Sequence, residues 1–142
     1  MTQIDFYFHV ENKLQTACAL RAKAFTRGLR VLAYCADPEA SQKFSRLLWT
    51  TPATGFVPHC TPDNRLAAVT PVIVDHNGSD LPHDQVLLNL RDEWPPFFSR
   101  FQRLVEIVCL DEEDRGRARE RYKFYRDRGY EIQNHDLSKS AQ

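Results

Sequence analysis

Residues 30–38 read RVLAYCADP, and this stretch decides the fold class. The run from Val31 to Cys35 is apolar and unbroken, which is typical of a strand buried on both faces of a parallel sheet. Asp37 and Pro38 are the residues expected at a helix start, because aspartate caps free backbone amides and proline has no amide to satisfy. A buried strand that leads directly into a helix indicates an α/β domain.

The same alternation of strand and helix continues toward the amino terminus. The aromatic run Ile4–Phe8 predicts a first strand. Apolar residues at helical spacing then predict a helix over residues 11–27, which Gly28 ends.

Toward the carboxyl terminus, short apolar runs predict three more strands, at residues 69–74, 85–90 and 104–110. A helix is expected to begin at Pro95–Pro96, with the phenylalanines that follow on its apolar face. The last helix is predicted over residues 112–128, because Gly129 is placed to end it.

This order predicts a single α/β domain over residues 1–133, built on a largely parallel sheet with helices on both faces. Residues 134–142 are expected to form a frayed tail. Such sheets often bind nucleotides where glycines let the backbone approach the phosphates. Here the first strand–helix junction, His9–Lys13, has no glycine, and Asp37 and Glu39 occupy the second. We therefore expect a Rossmann-like sheet without a nucleotide-binding glycine loop, and no cofactor.

Composition narrows the class of protein further. The chain of 142 residues is 42% hydrophobic and 27% charged, which is typical of a globular domain. Its 19 basic residues are matched by 19 acidic ones, so any nucleic-acid contact requires a local patch. Apolar runs are far shorter than a membrane span, and the four cysteines form no CxxC pair. We expect a cytoplasmic protein with reduced thiols.

Patterns for catalysis and metal binding are weak. His59 with Cys60, and His76 with His83, are the candidate metal ligands, but neither pair has a recognised spacing, which favours polar loop residues. The serines lie in no GxSxG sequence, and adjacent residues such as His59 and Cys60 rarely act as base and nucleophile. We predict no metal site and no intrinsic catalytic activity.

The predicted last helix is strongly basic. Residues 115–128 contain seven cations and two acids, a net charge of +5. At about 100° per residue, one stripe of the helix holds four of these cations: Arg115, Arg119, Lys123 and Arg126. Tyr122 lies at the edge of the stripe. Two interpretations stay open: a solvated helix whose tyrosines pack in the core, or a site for an acidic peptide, a terminal carboxylate or a nucleic-acid phosphate.

A second feature is a pair of aromatic residues around a proline-rich loop. Trp49 ends the helix that begins at Pro38, and Phe56 follows after Thr50–Pro52. The two rings either cap the core or form an exposed patch of the kind that anchors protein interfaces.

Several sequence elements, in order and over nearly the whole chain, resemble one known family. They are Leu47–Trp49, Phe56–His59, Leu87–Leu90, Phe97–Phe101, Glu106–Val108, Arg119–Tyr125 and Gly129–Tyr130. The most specific are FVPH at Phe56–His59 and the RERYKFY stretch at Arg119–Tyr125. Together they resemble the chi subunits of bacterial DNA polymerase III.

The resemblance implies an adaptor subunit of the replicative polymerase without catalytic activity of its own. Chi subunits bind the psi subunit of the clamp loader. They also bind the acidic C-terminal tail of single-stranded-DNA-binding protein, which ends in Phe. Carried over by position, the tail site comprises Arg115, Arg119, Tyr122 and Lys123, and the psi-facing surface comprises Trp49 and Phe56.

The alternative is a module that binds single-stranded nucleic acid directly, with the basic helix as the electrostatic surface and its tyrosines as stacking platforms. The balanced overall charge and the single basic patch count against it. In the adaptor interpretation single-stranded DNA is reached only indirectly, and no membrane is involved.

Overall fold

The computed structural model describes residues 2–50, 59–60, 72–76 and 84–137. Within them, seven strands form one sheet in the order β3-β4-β2-β5-β6-β1-β7, and all neighbouring strands run parallel. The strands are β1 (Gln3–Val10), β2 (Val31–Tyr34), β3 (His59–Cys60), β4 (Val72–Asp75), β5 (Val86–Asn89), β6 (Arg103–Cys109) and β7 (Ile132–Asp136). The helices are α1 (Lys13–Thr26), α2 (Pro38–Thr50) and α3 (Glu112–Asp127). None of the helices in the described ranges is long and apolar enough to cross a lipid bilayer.

Helices cover both faces of this sheet, as the sequence predicts. Strand β2 shows the arrangement, because all four of its residues are buried. Val31 and Ala33 belong to one core with Phe44 of α2. Leu32 points to the opposite face, into a second core that includes Tyr125 of α3. The stretch at residues 30–38 is therefore the central unit of a doubly covered parallel sheet, and the predicted α/β fold class is confirmed.

Helix α3 has the ends that its sequence predicts. The Asp111 carboxylate accepts a hydrogen bond from the Asp114 N–H at 3.1 Å. Three acidic residues fill the first turn, where negative charge interacts favourably with the helix dipole. At the other end Gly129 adopts a φ of 85°, which glycine reaches without strain. The prediction of a long last helix is confirmed.

The boundary between domain and tail needs correction. Strand β7 extends through Asp136, so residues 134–136 belong to the sheet and not to a frayed tail. These residues pair with residues 6–8 of β1. Because β7 is an edge strand with exposed polar side chains, its order comes from backbone pairing, which leaves little apolar pattern in the sequence.

The prediction of a helix that begins at Pro95–Pro96 is also wrong. The chain forms only a 3₁₀ turn there, at Phe98–Arg100, and β6 begins at Arg103. Too few residues remain between the prolines and β6 for a full helix. Phe98 and Phe101 instead fix this connection to the core beside α3.

Candidate functional site

A pocket of about 250 Å³ opens where the carboxyl ends of β1, β6 and β7 meet the first half of α3. In open α/β sheets this edge is where ligands commonly bind. The pocket is lined by nine residues: Phe8, His9, Val108, Cys109, Arg115, Ala118, Arg119, Tyr122 and Asp136. We refer to it as the α3 pocket. It combines an apolar floor with a charged rim.

The floor of the α3 pocket is made of aromatic and aliphatic side chains. It is formed by Phe8, Val108, Ala118 and Tyr122. The ring of Tyr122 packs on Phe6 with the ring centroids 5.1 Å apart. Its hydroxyl accepts a hydrogen bond from Asn134 Nδ2 at 3.4 Å. These two contacts hold the half-buried ring as a wall between the core and the pocket.

Two arginines form the cationic side of the rim. Arg115 Nη1 lies 3.6 Å from Glu112 Oε2, and Arg119 Nη2 lies 3.3 Å from Glu112 Oε1. Both arginine side chains are well exposed, at 46% and 63%, and Glu112 is more exposed still. Exposed ion pairs of this kind contribute about 0–1 kcal/mol. An incoming carboxylate can therefore replace Glu112 at little cost in free energy.

His9 and Asp136 form the opposite side of the rim. The register between β1 and β6 shifts between Tyr7 and Val10, and within that irregularity His9 adopts a φ of 60°. This backbone conformation is uncommon for a residue other than glycine. It accompanies a contact of 2.7 Å between His9 Nδ1 and Asp136 Oδ1. Strand irregularities that redirect a side chain are frequent beside functional sites.

Helix α3 is fixed to the sheet by a buried polar network centred on Glu106 of β6. Arg121 Nε donates to one Glu106 carboxylate oxygen at 3.1 Å, and the Tyr125 hydroxyl donates to the other at 2.6 Å. The Asn89 side-chain amide donates to both oxygens, at 3.1 and 3.0 Å. All four side chains are buried. The network sets the position of α3, and with it the position of the pocket arginines.

The same network shows that one cation of the basic helix does not contribute to its surface charge. Arg121 is among the seven cations of the basic helix, yet it is 1% exposed and neutralised by Glu106. Burial raises the pKa of Glu106, against the opposing effects of Arg121, Tyr125 and Asn89. Burial and the charge of Glu106 also raise the pKa of Tyr125, so its hydroxyl keeps its proton and remains a donor.

The structure brings together three of the four residues predicted to bind the acidic tail. Arg115, Arg119 and Tyr122 all line the α3 pocket. Lys123 lies exposed on the same helix, outside the pocket lining. The two tyrosines of this helix differ in their surroundings: Tyr125 is fully buried in the core, whereas Tyr122 borders the pocket.

Other predicted positions fall outside the described part of the chain. Trp49 lies in the last turn of α2, but its side chain is outside the described part, as are the side chains of His59 and Cys60 in β3. Phe56 and His83 lie outside the described residues altogether. The psi-facing surface therefore stays a prediction.

Among the described residues, one group of potential metal ligands stands close together. Cys109 Sγ and carboxylate oxygens of Asp111 and Asp114 lie within 4.8 Å of one another. Asp114 already accepts hydrogen bonds from the Cys109 N–H at 2.8 Å and from Lys13 Nζ at 3.3 Å. Burial favours a higher pKa for Asp114, but these bonds and the Lys13 charge outweigh it and lower the pKa. The group is accounted for by the cap of α3.

Sequence reasoning missed the pocket residues that the sheet contributes. Phe8 and His9 come from the end of β1, and Asp136 comes from the end of β7. A signal for the first two was available, since Phe8 ends the predicted first strand, His9 follows it, and carboxyl ends of parallel strands commonly line ligand sites. Asp136 could not be placed, because β7 itself was not predicted.

Comparison with known proteins agrees with the resemblance read from the sequence. The family model described as DNA polymerase III chi subunit, HolC, matches residues 1–133. The chain is 33% identical over 141 residues to the DNA polymerase III subunit chi of Pseudomonas aeruginosa, covering 96% of this chain and 98% of the relative. It is 31% identical over 133 residues to the subunit of the same name from Escherichia coli, covering 92% and 88%. The protein therefore belongs to the DNA polymerase III chi subunit family.

Proposed function

We propose that this chi-family subunit is a non-catalytic adaptor that links the clamp loader, through psi, to the acidic C-terminal tail of single-stranded-DNA-binding protein. The observation that carries the tail half of the proposal is the α3 pocket. It sets two exposed arginines beside an apolar cavity large enough for an aromatic ring. An acidic chain that ends in Phe and a free carboxylate has both features that such a pocket complements.

The size of the pocket supports this choice of ligand. A cavity of about 150 Å³ in another protein is known to bind benzene. The 250 Å³ here accommodates the ring of a terminal Phe against Phe8 and Tyr122. One arginine then binds the terminal carboxylate through two parallel hydrogen bonds, an arrangement that the planar guanidinium favours.

The acidic residues that precede the terminal Phe would follow the stripe of cations along α3. Arg115, Arg119 and Lys123 recur every four residues, so their side chains rise along one side of the helix. Because these charges are exposed and screened, we expect a dissociation constant on the order of micromolar that rises with added salt.

The first test replaces single cations on α3. Arg119→Ala is expected to weaken binding of a synthetic acidic tail peptide about tenfold, because it removes a charged hydrogen-bond donor from the pocket rim. Lys123→Ala is expected to weaken it only about threefold or less, because its exposed point charge lies outside the pocket lining. Isothermal titration with the peptide measures both.

The matched control is Arg126→Ala. Arg126 is the last cation of the stripe, beyond Lys123, and it does not line the α3 pocket. Its side chain is 63% exposed like that of Arg119, so its removal is expected to weaken peptide binding less than Arg119→Ala does. If Arg126→Ala and Arg119→Ala weaken peptide binding equally, the attraction is non-specific and the pocket assignment is wrong. If a single-stranded oligonucleotide displaces the peptide and binds more tightly than it, the direct nucleic-acid alternative is favoured instead.

The second test concerns psi. Trp49→Ala and Phe56→Ala are each expected to weaken psi binding by about 2 kcal/mol or more, because aromatic anchors dominate protein interfaces. The thermal melt of the free subunit is expected to change little. Trp94→Ala is the control, since this second tryptophan stacks on Phe124 with the ring centroids 3.9 Å apart and is not among the residues proposed to contact psi. If Trp49→Ala and Phe56→Ala unfold the subunit, the two rings belong to the core.

A further inference from the structure

A second pocket lies at the opposite edge of the sheet from the α3 pocket. It is formed where β2, β5 and β6 begin, at Val31, Val86 and Arg103, under the last turns of α1. Its volume is about 50 Å³. A cavity of about 10–15 Å³ holds one water molecule, so this pocket accommodates a group of a few heavy atoms. We refer to it as the α1 pocket.

A buried arginine lines the α1 pocket. Arg21 is 1% exposed. Its Nε, Nη1 and Nη2 atoms have no hydrogen-bond partner among the described residues. Burial lowers the pKa of this guanidinium, although arginine keeps its proton at any physiological pH. A buried cation with unsatisfied donors is costly, so the site favours a partner that brings negative charge.

The charges around the pocket have one sign. Four of its twelve lining residues are cations, namely Arg21, Lys23, Arg27 and Arg103, and none is acidic. The nearby carboxylate of Asp5 binds Arg103 at 3.2 Å and contacts His135 at 3.2 Å. Asp5 therefore compensates Arg103, whereas none of the described residues provides a hydrogen-bond partner for the Arg21 guanidinium.

The remaining walls restrict the kind of anion. Most of them are aliphatic, with Leu20, Leu29 and Leu88 among them. A phosphate has no apolar part to place against these walls, whereas a small planar carboxylate matches the two-pronged guanidinium and can place a short alkyl body against the leucines. We propose that the α1 pocket binds a small aliphatic carboxylate, with Arg21 as its charge partner.

Thermal unfolding with propionate as the probe tests this site. At a concentration about tenfold above its dissociation constant, propionate is expected to raise the Tm of the wild-type subunit by about 5 °C relative to chloride at equal ionic strength. Arg21→Met is expected to abolish that rise. In carboxylate-free buffer the same variant is expected to melt at the wild-type temperature or above it, because an unpaired buried charge has been removed.

Two controls keep the result interpretable. Arg126→Met, at an exposed arginine outside both pockets, is expected to keep the full propionate response. Inorganic phosphate at equal ionic strength is expected to give no rise, and an equal rise would overturn the carboxylate assignment. Should Arg21→Met fail to fold, the Arg21 Nε–H resonance of the wild type decides. A saturable shift with propionate supports the site, and no shift rejects it.

Discussion

Replacing Arg121 with methionine is expected to lower the free energy of unfolding by about 3–5 kcal/mol, because the change leaves Glu106 charged and buried without its cation. Glu106 is 0% exposed, and Arg121 Nε lies 3.1 Å from its Oε1 atom. Arg121 Nη1 also donates to the Asp92 carbonyl at 2.6 Å, so the loop after β5 loses a tether as well. Urea unfolding followed by circular dichroism measures the loss.

The pH dependence of that loss identifies its cause. Folding raises the pKa of Glu106, so the folded state binds more protons and stability falls as pH rises above the unfolded carboxyl pKa. Without Arg121 nothing of opposite charge counteracts burial as strongly, and the window of falling stability extends to higher pH. The Arg121→Met variant is therefore expected to lose more stability at pH 8 than at pH 5.

The exposed Arg126 supplies the comparison. Arg126→Met on the same helix is expected to change stability by about 0.5 kcal/mol or less at either pH, because its side chain is 63% exposed. An Arg121→Met variant as stable as Arg126→Met would mean that the Glu106 network does not hold α3 to the sheet.

Much of the fold could be predicted because its central strand carries the information locally. Residues 31–34 are apolar on both sides, and every one of them is buried. Strand β7 carries no such pattern, since its side chains are half-buried at most and its order depends on pairing with β1. Local pattern cannot reveal an edge strand whose stabilisation comes from a distant backbone.

The residues of the candidate site also fall into two groups, those that local sequence predicts and those that only distant strand pairing brings into place. Arg115, Arg119 and Tyr122 follow from helical periodicity, because they lie within one helix. Asp136 reaches the α3 pocket only through pairing of β7 with a strand at the other end of the chain. Arg121 looks like a further surface cation, yet a signal for its burial existed. Glu106 is an acid inside the apolar run 104–108, and a buried carboxylate requires a buried partner.

Removing the terminal Phe from the acidic tail peptide is expected to weaken binding to the subunit about 100-fold or more, with every acidic residue retained. The ring loses its burial against Phe8 and Tyr122, which contributes about 1.5–3 kcal/mol, and the terminal carboxylate moves away from the pocket arginines. Titration of intact and shortened peptides against the wild-type protein measures the difference. The shortened peptide keeps the same acids, so long-range attraction to α3 stays nearly constant between the two ligands.

One further ligand separates the contribution of the Phe ring from that of the terminal carboxylate. An intact peptide with an amidated C-terminus keeps the Phe ring but lacks the charge that an arginine binds, so we expect weakening of about tenfold or more. Against Arg119→Ala, intact and amidated peptides are expected to differ by less than they do against the wild type, because the variant lacks one partner of that hydrogen bond. Equal binding of the intact and shortened peptides to the wild type would leave only general charge attraction, and the α3 pocket would have to be given up as the tail site. A difference that persists unchanged in Arg119→Ala would retain the ring site and assign the carboxylate to Arg115, which lies one helical turn away and lines the same pocket.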